Sequence, residues 1–361
     1  MMRTTIWVIF FAIVIDVAIN NIFTIPYPYA RGEQLANYFE YGRSTESKVV
    51  RAVADDDRNA SISAKIGWFK SNEDNPSLPG SGSGTNIYVY GMSFSNHIGE
   101  LLLKIDPSLN VKLFSGPGAP LNHSYAYYET TRPHNKGDIV ILGILASSLP
   151  RMNSLTHMTS SFESPSPHFY PRYHIDDKNR IVKYEMDINS LSELRNTIGD
   201  AESWKQAKQY LAAQDSFYDP VIFEHDLLDY SVYLRLVKRA WGQRSLTRNV
   251  ERYHDQTGFK NEERLVELAR GLVSEFADSV RADGAIPYVM LFNDRGYSDH
   301  LYQVLKPVLA SKDIDYYSTH QKYPASNLDN FIADGHFKPE IDVEITIDVH
   351  QHLERIKNSN N

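Results

Sequence analysis

The sequence predicts an α/β fold with a mostly parallel sheet. Short runs of strand-forming residues alternate with stretches whose apolar residues recur at helical spacing, which is the pattern of α/β domains. One run, 138–142, is almost continuously apolar, as is typical of a strand that is buried on both faces of a parallel sheet. The predicted strands are 87–90, 111–114, 138–142, 287–292 and 314–317, and the helices predicted among them are 98–105, 121–130, 265–280 and 301–308.

The composition is that of a folded protein with an ordinary core. The 361 residues are enough for one large domain or two small ones, and apolar residues make up 42% of them. The formal net charge of −8, without any run rich in Lys or Arg, argues against nucleic acid as a partner. The absence of cysteine excludes disulfides, thiolate metal sites and cysteine nucleophiles. The 23 tyrosines favour sugar binding slightly, although tyrosine also fills ordinary cores.

Residues 1–25 predict a signal anchor or transmembrane segment. Arg3 precedes an apolar run from Ile6 to Ile15, which extends to Ile19 around the single Asp16. The run is short for a full membrane span and suits the core of a signal peptide, yet no small-residue cleavage site follows it. We therefore expect an uncleaved anchor, with the rest of the chain exported to the periplasmic or extracellular side. Asp16 is the residue that fits an apolar anchor least well.

Residues 26–86 predict an N-terminal extension and a linker. Helical patterns occupy 33–41 and 47–54, and the segment 71–86 collects the Asn, Pro, Ser and Gly that are typical of flexible linkers. The main domain is therefore expected to span 87–361.

The segment 87–105 predicts a strand, a glycine turn and a helix, with a serine between them. Gly91 follows the strand, Ser93 comes two residues later, and Ser95 or Asn96 suits the N-cap of the helix. A serine at this place is most often a helix cap. In a parallel sheet, however, it also lies at the carboxyl ends of the strands, where sites form, and beside helix amides that stabilise negative charge.

Two other stretches allow more than one interpretation. The segment 150–260 is less regular, with helical patterns at 192–211 and 227–241, and is expected to be an insertion that shapes a cleft or contacts a partner. Residues 341–349 alternate like a strand, but Ile341, Ile345, Val349 and Leu353 also share one helical face. Because Pro339 and Glu340 suit the first turn of a helix, we predict a helix there.

The segment Asp334-Gly335-His336 supplies what a serine nucleophile requires. His336 is a candidate base for the Ser93 hydroxyl, and Asp334 is a candidate to orient the imidazole. The backbone amides of Ser93, Gly116 and Gly143 are candidates for an oxyanion hole, because all three residues come at or after predicted strand ends. The alternative for Asp-Gly-His is a surface turn, which Asp-Gly favours.

These motifs resemble the SGNH (GDSL-type) hydrolase superfamily. Gly91-Met92-Ser93-Phe94-Ser95 resembles its first block, Gly116 its glycine block, and Asp334-Gly335-His336-Phe337 its last block. The resemblance covers about 87–355, with 150–260 as an atypical insertion. It implies a three-layer α/β/α, flavodoxin-like domain with Ser93, His336 and Asp334 as the catalytic residues.

The third block of the superfamily, a Gly-x-Asn-Asp-like motif, is not matched. The corresponding segment reads Gly143-Ile-Leu-Ala-Ser147-Ser148, without the asparagine that donates to the oxyanion in the family. Ser147, Ser148 and Asn153 are the candidates to replace it, and the sequence does not choose among them.

The sequence therefore predicts a membrane-anchored serine esterase that acts without metal or organic cofactor. The anchor suggests O-acetyl groups of an exported or cell-envelope polysaccharide as the ester. His350 and His352 are interpreted as a solvated helix face rather than a metal pair. The alternatives are a polysaccharide O-acetyltransferase that forms the same acyl-enzyme, and a non-catalytic polysaccharide-binding or assembly protein.

Overall fold

The computed structural model describes residues 2–23, 33–54, 85–116 and 118–360. The linker predicted at 71–86 lies outside these residues up to position 84, as do parts of the predicted extension. The strands are β1 Asn86–Gly91, β2 Asn110–Ser115, β3 Ile139–Leu145, β4 Arg172–Ile175, β5 Ile181–Tyr184, β6 His254–Asp255, β7 Gly258–Phe259, β8 Ile286–Phe292 and β9 Asp315–Ser318. The helices are α1 Met2–Ile22, α2 Glu33–Glu40, α3 Thr45–Ala54, α4 Ser93–Ile105, α5 Leu121–Thr131, α6 His157–Ser160, α7 Leu191–Gly199, α8 Ala201–Gln214, α9 Pro220–Phe223, α10 Val232–Tyr253, α11 Leu265–Ala282, α12 His300–Ser311 and α13 Pro339–Asn360.

Five strands form a parallel sheet in the order β2-β1-β3-β8-β9. The chain leaves β1 toward β2 on one side and then returns to β3 on the other side, so the direction of strand addition reverses at β1. Sites in parallel sheets form at the carboxyl edge where this reversal occurs. Ser93 follows the carboxyl end of β1 and therefore lies at this edge. The predicted α/β class with a parallel sheet is confirmed.

Two groups of helices pack on the sheet. Helix α4 contacts β1, β2 and β3 and also packs against α13, whereas α5 and α12 both contact α11 as well as the sheet. All seven residues of β3 are buried, as expected for a strand covered on both faces. The arrangement fits a layer of helices on each side of the sheet.

Helix α4 begins at Ser93, so the prediction that Ser95 or Asn96 caps it is wrong. Met92 occupies the N-cap position and offers no side-chain hydrogen bond, while Ser95 lies fully buried inside the first turn. Gly91 and Gly143 make room for Ser95, because a Cβ on either would lie 2.2 or 1.9 Å from its Oγ. Gly143 lies within β3, two residues before the strand ends, rather than beyond it.

The ambiguous segment near the C-terminus is helix α13, as predicted. Ile341, Ile345, Val349 and Leu353 are buried in the same core as Ile98 and Leu102 of α4. The alternating residues Val343 and Ile347 are 40% and 41% exposed. The helical face thus lies in the core, and the apparent strand alternation comes from apolar residues on the outer surface.

The chain divides into two compact units. The sheet unit contains 59–155, 168–192 and 250–361, and the N-terminal unit contains 1–58, 156–167 and 193–249. The stretch expected to be one insertion, 150–260, is thus shared between the units. The helix predicted at 192–211 is two helices, α7 and α8, because the Asp200 side chain caps α8 through the Ser203 amide at 2.8 Å. The helix predicted at 227–241 is a 3-10 turn, Leu227–Tyr230, followed by α10.

Among the described residues, one helix is long and apolar enough to cross a membrane or to act as a signal anchor, and it spans Arg3–Ile22. Most of its side chains are exposed in the N-terminal unit, including Trp7 at 59% and Ile13 at 57%. This agrees with the predicted anchor at the N-terminus.

Candidate active site

A short hairpin carries Asp334, Gly335 and His336. Phe331 and Phe337 form an antiparallel bridge, and their rings stack with centroids 4.9 Å apart. Within the hairpin, the Gly335 N–H donates to the Ile332 carbonyl at 3.1 Å. Gly335 has a φ of +99°, a backbone conformation that glycine adopts without strain. The hairpin is therefore held together by its own backbone hydrogen bonds and the ring stack, and it positions His336.

The hairpin brings His336 to the first residue of α4. Its Nε2 lies 2.7 Å from the Oγ of Ser93, and its Nδ1 lies 3.1 Å from Oδ1 of Asp334. When Asp334 holds the proton on Nδ1, the Ser93 hydroxyl donates to the free Nε2. The hydroxyl is then hydrogen-bonded to the imidazole, and the carboxylate lies within ion-pair distance of the other ring nitrogen, although Ser93 and His336 are 243 positions apart in the sequence.

The Asp334 carboxylate is stabilised mainly by the backbone of its own hairpin. The His336 backbone N–H donates to Oδ1 at 3.0 Å and, together with the imidazole, lowers the pKa of Asp334. The carboxylate therefore carries its charge at neutral pH. Its side chain is 63% exposed and that of His336 is 27% exposed, so the site is open to water.

Aromatic and ionic contacts hold the imidazole in place. The Phe94 ring stacks on His336 with centroids 4.8 Å apart, and the ring of His97 lies 5.3 Å from it. His97 in turn contacts Asp342 of α13 at 3.2 Å, and this hydrogen bond raises the pKa of His97. Apart from the position of Phe94 next to Ser93, these contacts could not be predicted from the sequence, because they depend on where α13 and the hairpin pack.

The three candidate oxyanion donors differ in whether their backbone N–H groups already form hydrogen bonds within the protein. The Ser93 amide belongs to the first turn of α4, where amides have no partner within the helix and the helix dipole is positive. The Gly116 amide instead donates to the Gly91 carbonyl at 3.1 Å and is occupied. Gly143 lies inside β3, paired with Met290 of β8. Its role in the structure is the close approach of Ser95 described above.

The turn after β3 contains the three candidates for the missing asparagine. The Ser147 amide donates to Asp294 at 3.0 Å, and the Ser148 hydroxyl donates to the Leu145 carbonyl at 2.8 Å. Asn153 is only 2% exposed, and its Nδ2 is buried without a hydrogen-bond partner among the described residues. Because β3 is the neighbour of β1, this turn begins at the same edge of the sheet as Ser93. Of the three, Asn153 has the unused donor.

The histidines of α13 have partners within the protein. His350 lies 3.3 Å from Asp106, and His352 lies 3.3 Å from the hydroxyl of Tyr288. Glu354 comes within 4.8 Å of the first pair and forms its own ion pair with Lys357 at 2.8 Å. His350 and His352 therefore contact different residues and do not form a pair with each other.

The arrangement of Ser93, His336 and Asp334 is suited to activating the serine hydroxyl as a nucleophile. A hydroxyl that is hydrogen-bonded to an imidazole, itself held by a carboxylate, can be deprotonated as it attacks an electrophile. Comparisons of the chain with protein-family models, with curated proteins and with solved structures found no match. Membership of the superfamily that the motifs resemble therefore stays a prediction.

Proposed function

We propose that the protein is an SGNH-type serine hydrolase that cleaves carboxylic esters. The observation that carries the proposal is the chain of contacts from Ser93 Oγ to His336 Nε2, at 2.7 Å, and from His336 Nδ1 to Asp334, at 3.1 Å. The arrangement is also supported by its place after β1, at the edge where sites of parallel sheets form.

In the first half-reaction, Ser93 Oγ attacks the acyl carbon of the ester while His336 Nε2 takes the hydroxyl proton. The carbonyl oxygen becomes an oxyanion next to the first turn of α4, where the Ser93 amide can donate to it. Collapse of this intermediate breaks the bond to the alcohol oxygen, and His336 returns the proton to the departing alcohol. Asp334 keeps the imidazole oriented and stabilises its positive charge.

In the second half-reaction, His336 removes a proton from water, and the hydroxide attacks the acyl-Ser93 ester. The acid is released and the proton returns to Ser93 Oγ. The partial exposure of His336 and the high exposure of Asp334 support hydrolysis over acyl transfer, because water has access to the base.

The proposed substrate is an O-acetylated polysaccharide outside the membrane. The open site suits an ester on a polymer, and the apolar helix α1 suits an anchored enzyme. Hydrolysis and acyl transfer are distinguished by measuring acetate release from an acetylated polysaccharide with and without a sugar acceptor. A hydrolase releases acetate in both cases, whereas a transferase transfers the acetyl groups to the acceptor.

The direct test is covalent labelling of the full-length protein with a fluorophosphonate, which phosphonylates an activated serine and releases fluoride. We expect labelling in the wild type, none in Ser93→Ala, and a decrease of roughly a thousandfold or more in rate for His336→Ala. Ser326→Ala is the matched control, because Ser326 is an exposed serine of the same unit and its loss leaves labelling unchanged.

Two results would contradict the proposal. Labelling that persists in Ser93→Ala would mean that another serine reacts, and a folded wild type that takes up no label would remove the nucleophile. In the second case, glycan binding that is equal in wild type and Ser93→Ala would favour the non-catalytic binding protein.

A further inference from the structure

Asp16, the acidic residue of the apolar helix α1, has specific partners in the N-terminal unit. Its carboxylate accepts a hydrogen bond from the Ser231 hydroxyl at 3.0 Å and another from the Tyr233 backbone N–H at 3.1 Å. These donors lie at the start of α10, where the helix dipole favours a negative charge. Asp16 therefore acts as a capping group for a helix that is more than 200 positions away in the sequence.

A second polar residue joins the same two helices one turn later. Asn20 donates to the Tyr230 carbonyl at 3.2 Å, and its side-chain oxygen accepts a hydrogen bond from the guanidinium of Arg235. The shielded side chains of α1 share one helical face, and they are Ala12, Asp16, Ile19 and Asn20. Phe23, directly after the helix, continues this face. The last third of α1 thus packs on the start of α10, while the rest of α1 remains exposed.

The length of α1 determines where this contact lies relative to a bilayer. Its 21 residues are about 31 Å long at 1.5 Å per residue, which matches a hydrocarbon core of about 30 Å. Asp16 comes six residues before Ile22, about 9 Å from the end of the helix. If α1 spans the bilayer, the start of α10 is therefore held at or below the level of the membrane surface.

The residues around this contact form an unusual exposed apolar surface. Leu227 is 82% exposed, Tyr230 is 69% exposed and Val237 is 63% exposed. In α10 the exposed apolar residues recur at helical spacing on one side. We call the whole set the apolar face, and it consists of Leu227, Tyr230, Tyr233, Leu234, Val237 and Trp241. Tyrosine and tryptophan are the residues that membrane interfaces favour.

Basic residues continue the same side of α10 beyond Trp241. Arg244 and Arg248 follow at the spacing i+3 and i+7, and neither forms an ion pair within the described part of the chain. Exposed arginines next to an apolar surface suit contact with anionic lipid headgroups.

We propose that the apolar face binds the phospholipid bilayer that α1 crosses, so that α10 lies in the membrane interface beside the anchor. The inference rests on the proposed membrane anchor, and it adds that the N-terminal unit is embedded at the surface rather than tethered above it. The contacts of Asp16 and Asn20 hold the apolar face next to α1, at the level of the membrane surface. Lipid is therefore the partner that we expect to cover this face.

The absence of cysteine allows a direct test with the full-length protein. Single cysteines replace Val237 in the apolar face, Ile9 in α1 and Lys205, whose side chain is 63% exposed on α8. Each is labelled with a fluorophore of the nitrobenzoxadiazole type in vesicles of phosphatidylcholine and phosphatidylglycerol. Quenching by nitroxide-labelled lipid and by an aqueous quencher is then compared.

We expect lipid quenching at Val237→Cys to exceed that at Lys205→Cys by severalfold, with the reverse order for the aqueous quencher. Lipid quenching at Ile9→Cys but not at Val237→Cys would contradict the embedded face while leaving the anchor intact. A label at Ile9→Cys that is accessible to the aqueous quencher would contradict both the membrane anchor and the membrane-bound apolar face. Shielding of Val237→Cys from both quenchers would mean that a protein covers the face, which also overturns the proposal.

Discussion

At the scale of single residues, the buried side-chain amide of Asn153 lowers the stability of the fold, and no hydrogen bond within the described residues compensates for it. A buried donor without a partner destabilises a fold by about 1–3 kcal/mol, and the Asn153 Nδ2 is such a donor. A carbonyl oxygen that becomes an oxyanion near Ser93 would supply an acceptor. We infer that this donor serves the transition state rather than the folded protein.

We therefore predict that Asn153→Ala lowers kcat for ester hydrolysis by about 10²–10³-fold, as the loss of one oxyanion donor does elsewhere. The thermal midpoint should not fall markedly, because removing an unpartnered buried donor relieves its desolvation cost and offsets the cavity that the shorter side chain leaves. Ser148→Ala is the control from the same turn: it removes the hydrogen bond to Leu145 and should lower stability by about 1 kcal/mol without a comparable effect on kcat. An unchanged kcat in Asn153→Ala would exclude this role.

The proximity of the candidate site residues could be predicted from residue type and local motifs, whereas the availability of the backbone amides could not, because it depends on the strand register. Ser93, His336 and Asp334 are brought together as expected, because a serine after a strand and an Asp-Gly-His turn are recognisable locally. The occupied amide of Gly116 could not be foreseen, because its acceptor, the Gly91 carbonyl, is set by the pairing of β1 with β2.

At the scale of elements, the position of Ser93 depends on how closely α4 approaches the sheet. The Ser95 side chain fills the space that two glycines leave open on β1 and β3. No periodic pattern in the sequence indicates such a contact, so the sequence alone favours Ser95 as a helix cap. Helix α13 was predicted correctly, since its core-facing residues keep the helical period.

We predict that Gly143→Ala destabilises the sheet unit by about 1–3 kcal/mol, because the new Cβ would lie 1.9 Å from the Oγ of Ser95. Ser95→Ala removes that Oγ, so the double variant should recover part of the loss in urea unfolding. Gly199→Ala, in the N-terminal unit, is the control for adding a Cβ without a clash, as a Cβ there meets nothing within 4 Å. Additive effects of the two substitutions would show that Ser95 is not the source of the strain.

At the scale of the whole molecule, the chain enters each unit three times, so no composition shift marks the boundaries between them. Individual carboxylates of the two units have pKa shifts in opposite directions. In the sheet unit, burial raises the pKa of Asp294. The N-terminal unit instead surrounds Glu40 and Asp229 with basic and hydroxyl groups. The contacts that distinguish the units join positions far apart in the sequence, as between Asp229 and Ser44.

This difference predicts where acid unfolding begins. Burial alone would raise the pKa of Glu40, but hydrogen bonds from Arg43 and Arg51 outweigh it and lower the pKa from 4.5 to about 2. Burial also opposes the charge of Asp229, yet bonds from Ser44 lower its pKa from 3.8 to about 2. Because both folded pKa values lie below the unfolded ones, the stabilisation is complete above about pH 5 and is lost as pH falls toward 2.

Hydrogen exchange measured by peptide fragment between pH 7 and pH 3, corrected for intrinsic rates, should therefore show α3 and α10 losing protection before β1 and β3. Glu40→Gln keeps the shape of the side chain but not its charge, so it should weaken the N-terminal unit at pH 7 and flatten its dependence on acid. In the sheet unit, the pKa of Asp294 shifts in the opposite direction, because burial favours its protonated form. Protonation of Asp294 therefore does not oppose folding as protonation of Glu40 and Asp229 does. Simultaneous loss of protection in both units, or an acid response of Glu40→Gln equal to that of the wild type, would mean that other carboxylates govern acid stability.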